Sequence, residues 1–132
     1  MKIGQTLLNQ MIEHAEEDAP NECCGLVSGN DGEARVVFRA TNAEASPFRY
    51  SIAPSEQLDL MNKIDEMGEE VVAIYHSHTR TPAYPSQTDI NLATGWPDAV
   101  YLIVSLERPG EPVVKGFSIR DGAVEDVVLQ TT

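Results

Sequence analysis

The sequence predicts an α/β (α+β) fold, a mixed and partly antiparallel sheet flanked by helices. Three observations predict it. Helix-like and strand-like segments alternate early in the chain, strands follow one another late, and Val71-Val72-Ala73-Ile74-Tyr75 forms an unbroken apolar run of the kind found in a strand covered on both faces. At 132 residues the chain is long enough to bury a core without disulfide staples, and it reads as a single domain spanning 1–132.

The elements follow in order. Leu7, Leu8, Met11, Ile12 and Ala15 recur at three- and four-residue spacing, which predicts an amphipathic helix over Gln5–Glu17, ended by Pro20. Residues 23–29 and 34–38 read as two strands joined by the Asn30-Asp31-Gly32 turn. A small-residue loop up to Pro47 precedes a short strand expected over Phe48–Ile52. Pro54, Ser55 and Glu56 open a second helix, whose expected apolar stripe is Leu58, Met61, Ile64 and Met67, with Gly68 as its stop. After the Val71–Tyr75 strand come a proline-bearing loop over 79–85, a third helix starting near Ser86, and strands at 100–105, 113–119 and 124–129.

Composition excludes several function classes. A formal charge of −12 argues against the basic face that a phosphate backbone needs, although it leaves room for a local basic patch, so nucleic acid is not an expected partner. No leader-like N-terminus and no apolar stretch near the ~18 residues of a membrane span are present, so the expectation is a cytoplasmic protein with no membrane partner. The two cysteines, Cys23 and Cys24, are adjacent and poorly placed to pair with each other, as reduced thiols would be. His14 lies among acidic residues of the first helix and is expected to face solvent.

Chemistry concentrates after the buried strand. His76 and His78 stand two residues apart in an extended segment, so both imidazoles point to one side and can converge on a metal ion. Asp89 supplies a third ligand if the 79–85 loop folds back. Alternatively, Ser86-Gln87-Thr88-Asp89 is a capping box that serves only its own helix. Three protein ligands with a fourth position left to water describe a catalytic rather than a structural zinc site, and hydrolysis at such a site needs a carboxylate base. Glu22, just before the first strand, is one candidate among 21 acidic residues, and composition does not choose it.

Glu22, His76-Ser77-His78, seven residues, Ser86, two residues and Asp89 read as E…H-S-H-x7-S-x2-D, which resembles the motif of the JAMM (MPN+) zinc metallopeptidases. That resemblance implies a cytidine-deaminase-like JAMM/MPN fold, Zn2+ held by His76, His78 and Asp89, Glu22 as general base and Ser86 as oxyanion donor. The short length and the Glu22-Cys23-Cys24-Gly25 opening are similar to the small bacterial Mec+ branch. It implies cysteine release from the C-terminal Gly-Gly tail of a ubiquitin-like sulfur-carrier protein. General deconjugation of ubiquitin-like modifiers and a catalytically inactive MPN scaffold are the alternatives. Thr79 departs from the Pro that many relatives carry after the second His, which bears on the path of the 79–85 loop. A cysteine nucleophile and a structural Cys2His2 site are rivals from other classes. The sequence allows a homodimer without requiring one. An incoming tail is expected to add as a strand beside an exposed edge, with Asn42–Ile52 as that edge.

Overall fold

The computed structural model describes residues 1–131. Its elements in chain order are β1 (Lys2–Ile3), α1 (Gln5–Asp18), β2 (Cys24–Asn30), β3 (Glu33–Ala40), α2 (Pro54–Glu66), β4 (Glu70–His78) and α3 (Gln87–Leu92). A 3-10 turn (Ala93–Gly95), β5 (Val100–Ser105), β6 (Val113–Arg120), β7 (Ala123–Val127) and β8 (Gln130–Thr131) complete it. The strands form one eight-stranded sheet in the order β7-β6-β5-β4-β2-β3-β1-β8. β4 pairs parallel with β5 and antiparallel with β2, so the sheet is mixed, as the sequence predicts.

The sheet curls. Its two end strands, β7 and β8, are consecutive in the chain and separated only by Val128 and Leu129, a link that spans at most about 10 Å. Hydrogen bonds from the Met1 amino group to Val128 O (2.9 Å) and from Gln130 N to Met1 O (2.8 Å) hold this seam. Two Asp-Gly turns make the hairpins: Asp31 and Gly32 have φ of 53° and 75°, Asp121 and Gly122 have 52° and 79°. Positive φ at both central positions matches the right-handed twist of the flanking strands, and Gly and Asp adopt it more readily than branched residues.

The helices cover opposite faces. On one face α1 buries Leu8, Met11, His14 and Ala15, the apolar members packing with Val27, Ala73, Tyr75, Leu102 and Val104. On the other α2 buries Leu60 and Ile64 against Leu26, Ile74 and Tyr101. The stripe expected on α2 is therefore corrected, since Leu58, Met61 and Met67 are exposed. Three-residue steps each fall about 60° short of a full turn, so positions 58, 61, 64 and 67 run half way round the helix, whereas the four-residue step from Leu60 to Ile64 stays on one side.

Phe48–Ile52 forms no strand, so the segment Asn42–Ile52 expected as a sheet edge is a loop. Its backbone serves an internal loop, with Ala43 N bonded to Ser51 O at 2.8 Å. The two-residue strands β1 and β8 carry too little pattern to be read from sequence, and they exist because the curled sheet offers them partners. Among the described residues no helix is long and apolar enough to cross a membrane.

Candidate metal centre

β4 runs on through the two histidines, so the alternation of its side chains continues to His78. Tyr75 enters the cluster under α1, while Ile74 lies with α2. His76 and His78 share the parity of Ile74 and so leave the sheet on the α2 side. Cys24 on β2 pairs with His76. Two further bonds extend that pairing, Ser77 N to Cys23 O (3.2 Å) and Cys23 N to Ser77 Oγ (2.8 Å). Counting on in antiparallel register places Glu22 opposite His78, on the same face. The sheet thus brings Glu22 to the two histidines although 54 positions separate Glu22 from His76.

α3 contributes Asp89. Its Oδ2 lies 3.1 Å from Nε2 of His76 and 3.1 Å from Nε2 of His78, and the two Nε2 atoms are 3.2 Å apart. A tetrahedral ion with bonds of ~2.0 Å has ligand atoms about 3.3 Å apart, so this triangle nearly matches one face of such a tetrahedron. Among the described residues, these three side chains form a group able to hold a metal ion, and all three are buried. The capping box is present as well: Asp89 N donates to Ser86 Oγ (3.1 Å) and Ser86 N donates to Asp89 Oδ2 (2.9 Å). Capping and convergence on the histidines are compatible, because the cap fixes the carboxylate whose oxygen meets them.

The environment sets the charge state of each group. His78 Nδ1 is 2.9 Å from Pro82 O, so it carries the proton donated to that carbonyl and Nε2 is turned inward. Pro82 sits in the 79–85 loop, which supports the site despite Thr79 in place of a proline. Burial raises the Asp89 carboxyl, but its close contacts with the His76 and His78 rings outweigh it and hold the group well below the usual carboxylate range. Burial lowers His76, with Asp89 acting against it. Glu22 is 4% exposed and its Oε1 has no hydrogen-bond partner among the described residues. Burial pushes its carboxyl up to about 7, against the downward pull of His78.

Tyr50 stacks on His76 with ring centroids 4.5 Å apart and planes 23° from parallel. Sequence reasoning missed it because an aromatic inside an expected short strand carries no mark of a ligand neighbour. His14 is also corrected: it is buried, its Nδ1 lies 2.7 Å from the Tyr75 hydroxyl, and its Nε2 lies 3.2 Å from Asp18. Glu13, Glu16 and Glu17 are exposed, while His14 shares the buried face of Met11 and Ala15 and meets the half-buried Asp18 there.

Cys23 and Cys24 fall into the two opposite core clusters, as adjacent strand residues must. Burial pushes both thiols up to about 12, the reverse of what a thiolate nucleophile needs.

Comparison with known proteins agrees with this geometry. Residues 4–118 match the family described as prokaryotic homologues of the JAB domain. The CysO-cysteine peptidase of Mycobacterium tuberculosis is 43% identical over 126 residues, covering 94% of this chain and 86% of that protein. The desampylase of Haloferax volcanii is 38% identical over 104 residues, covering 76% and 73%. A Desulfitobacterium hafniense protein solved in solution superposes with a TM-score of 0.90 at 34% identity, covering 99% and 92%. The match runs through every element that builds the site: the chain belongs to the prokaryotic JAB-domain family, and it is a peptidase.

Proposed function

We propose that the chain is a zinc-dependent peptidase acting at the C-terminal Gly-Gly tail of a ubiquitin-like sulfur-carrier protein, and that it releases cysteine. The observation that supports the chemistry is the buried triangle of His76 Nε2, His78 Nε2 and Asp89 Oδ2, with a carboxylate lacking a partner on the same face. Two imidazoles and a carboxylate are an ordinary donor set for a catalytic zinc with an open fourth position. Zinc bound there supplies Lewis acidity, lowering the pKa of a water molecule to near ~7 and polarising the scissile carbonyl.

The chain's own residues do the rest. Glu22 takes the proton lost by the attacking water and delivers it to the departing amine, so one carboxyl serves as base and then as acid. Burial raises that carboxyl from its ordinary value, and a cation held beside it would act in the opposite direction, favouring the ionised form that accepts the proton. Ser86 Oγ accepts from Asp89 N, which leaves its hydroxyl proton to donate to the developing oxyanion, an interaction worth about 3 kcal/mol. Two buried free thiols suit a reducing cytoplasm.

The substrate assignment is supported by the 43% identity with a CysO-cysteine peptidase over 94% of the chain. The 38% identity with a desampylase favours a second reading, deconjugation of ubiquitin-like modifiers. The scaffold alternative would need a degraded site, whereas all the side chains of the motif are present here.

Intact-mass measurement of the host's sulfur-carrier protein bearing a C-terminal cysteine, incubated with the enzyme with and without a zinc chelator, tests the reading. Loss of one cysteine that the chelator blocks is expected. Persistence of the cysteine, together with cleavage of isopeptide conjugates, would transfer the assignment to deconjugation.

A further inference from the structure

The loop between β3 and α2 is organised around one side chain. Asn42, 9% exposed, donates from Nδ2 to Glu22 O (3.0 Å), to Arg49 O (3.0 Å) and, at longer range, to Ser46 O (3.5 Å). Its Oδ1 accepts from Glu44 N (3.0 Å) and Ser51 N (3.3 Å). The loop also grips Glu22 through Ser46 O, which accepts from Glu22 N at 2.9 Å. Both peptide groups flanking the Glu22 side chain are therefore held by this loop, one of them by Asn42 itself.

The same carboxamide holds the other arm. Arg49 O and Ser51 N, two of its partners, bracket Tyr50, whose ring stacks on His76. His76 Nδ1 is buried without a partner, so no hydrogen bond at that atom limits rotation of the ring. The stack with Tyr50 is one of the contacts that do so, beside the edge-on contact with His78. Only a side chain with both an amide donor and a carbonyl acceptor on a short stem satisfies carbonyls on one side and N–H groups on the other.

We infer that Asn42 is a positioning residue that sets the base Glu22 and the ligand His76 in mutual register, through one hydrogen-bonded hub. This rests on the roles proposed above for those two residues. A misplacement of about 1 Å in a reacting group lowers turnover on the order of 10²-fold, and loss of a group that orients a ligand weakens metal binding about 10- to 100-fold.

Asn42→Asp is the sharpest probe, because it keeps the acceptor for Glu44 N and Ser51 N and replaces the donor facing Glu22 O and Arg49 O with an oxygen. At saturating zinc the expected result is a fall in kcat of about 10- to 100-fold with KM unchanged, and zinc affinity measured separately should weaken about 10-fold. Tyr50→Leu, which removes the stack on His76, should weaken zinc affinity similarly. The decisive comparison is a double-variant cycle. In a Glu22→Gln background Asn42→Asp should change the residual rate by less than about twofold, since a misplaced base costs nothing once the base is gone. If the two losses multiplied instead, Asn42 would be a structural residue only, and the Glu22 assignment would stand. If Glu22→Gln alone turned over at the wild-type rate, the base assignment would fall and this inference with it. Should the Asp variant not fold, Asn42→Ala, which removes the bonds without adding charge, goes through the same cycle.

Discussion

Tyr75 and His76 are neighbours on β4, both almost wholly buried, and they face two different surroundings. On the α1 side, Tyr75 meets His14, His14 meets Asp18, and Ser77 Oγ takes the N–H of Cys23, so buried polar atoms are partnered. On the α2 side, His76 Nδ1 and Glu22 Oε1 have no partner among the described residues, and His76 Nε2, His78 Nε2 and Asp89 Oδ2 crowd to 3.1–3.2 Å. Burial of titratable groups is thus common to both sides and marks neither as a site. What separates them is surplus: a structural network consumes its donors and acceptors, while the α2 side brings three lone-pair-bearing atoms within 3.2 Å of one another.

The largest break in this comparison should come from Asp89→Asn. It removes the charge proposed to bind metal yet leaves an oxygen able to accept from Ser86 N, so zinc content and turnover should be lost while the apo protein melts near the wild-type temperature. Normal zinc content with an earlier melt would reduce Asp89 to a cap. Next in size is Glu22→Gln, for which kcat is expected to fall about 10²- to 10⁴-fold while zinc, measured by elemental analysis, stays bound.

The same variant sharpens the comparison through pH. A carboxyl raised from its ordinary value to about 7 on folding binds its proton more tightly in the native state, so the stability this confers is present at acid pH and is lost as pH rises toward 7. Denaturant unfolding of the apo proteins should therefore show Glu22→Gln gaining on wild type by about 3 kcal/mol between pH 4 and pH 8. A constant difference across that range would mean that Glu22 titrates normally. The smallest effect belongs to the α1 side. Tyr75→Phe leaves His14 Nδ1 unpartnered, which should cost about 1–2 kcal/mol in unfolding free energy with kcat unaltered. A large loss of kcat there would dissolve the distinction between the two sides.

Much of the site was legible because its spacing is short-range. The i, i+2 relation of His76 and His78 needs only an extended backbone, and Ser86 with Asp89 needs only one helical turn. Glu22 was legible only by resemblance, since the link between it and His78 is a strand register that no local pattern encodes. Asn42 and Tyr50 were not legible as site residues at all. Their segment looks like a small-residue loop and a strand, and its conformation depends on hydrogen bonds to Glu22, which lies far back in the chain. The exposed position expected for His14 failed for a related reason: its acidic neighbours describe the helix surface, but the angular position of residue 14 puts it against Tyr75.

By itself the sequence determined the order of the helices and main strands, the Asp31-Gly32 hairpin, the paired histidines and the capped third helix. These follow from φ/ψ preference, side-chain periodicity and charge, which act over a few residues. Tertiary structure alone decided the curl that joins β7 to β8 through β1, the buried face of α2, the approach of Glu22 to His78 and the Asn42 hub. Each of these is a contact between residues distant in sequence, and such contacts are set by packing and hydrogen-bond satisfaction across the whole sheet rather than by any local preference.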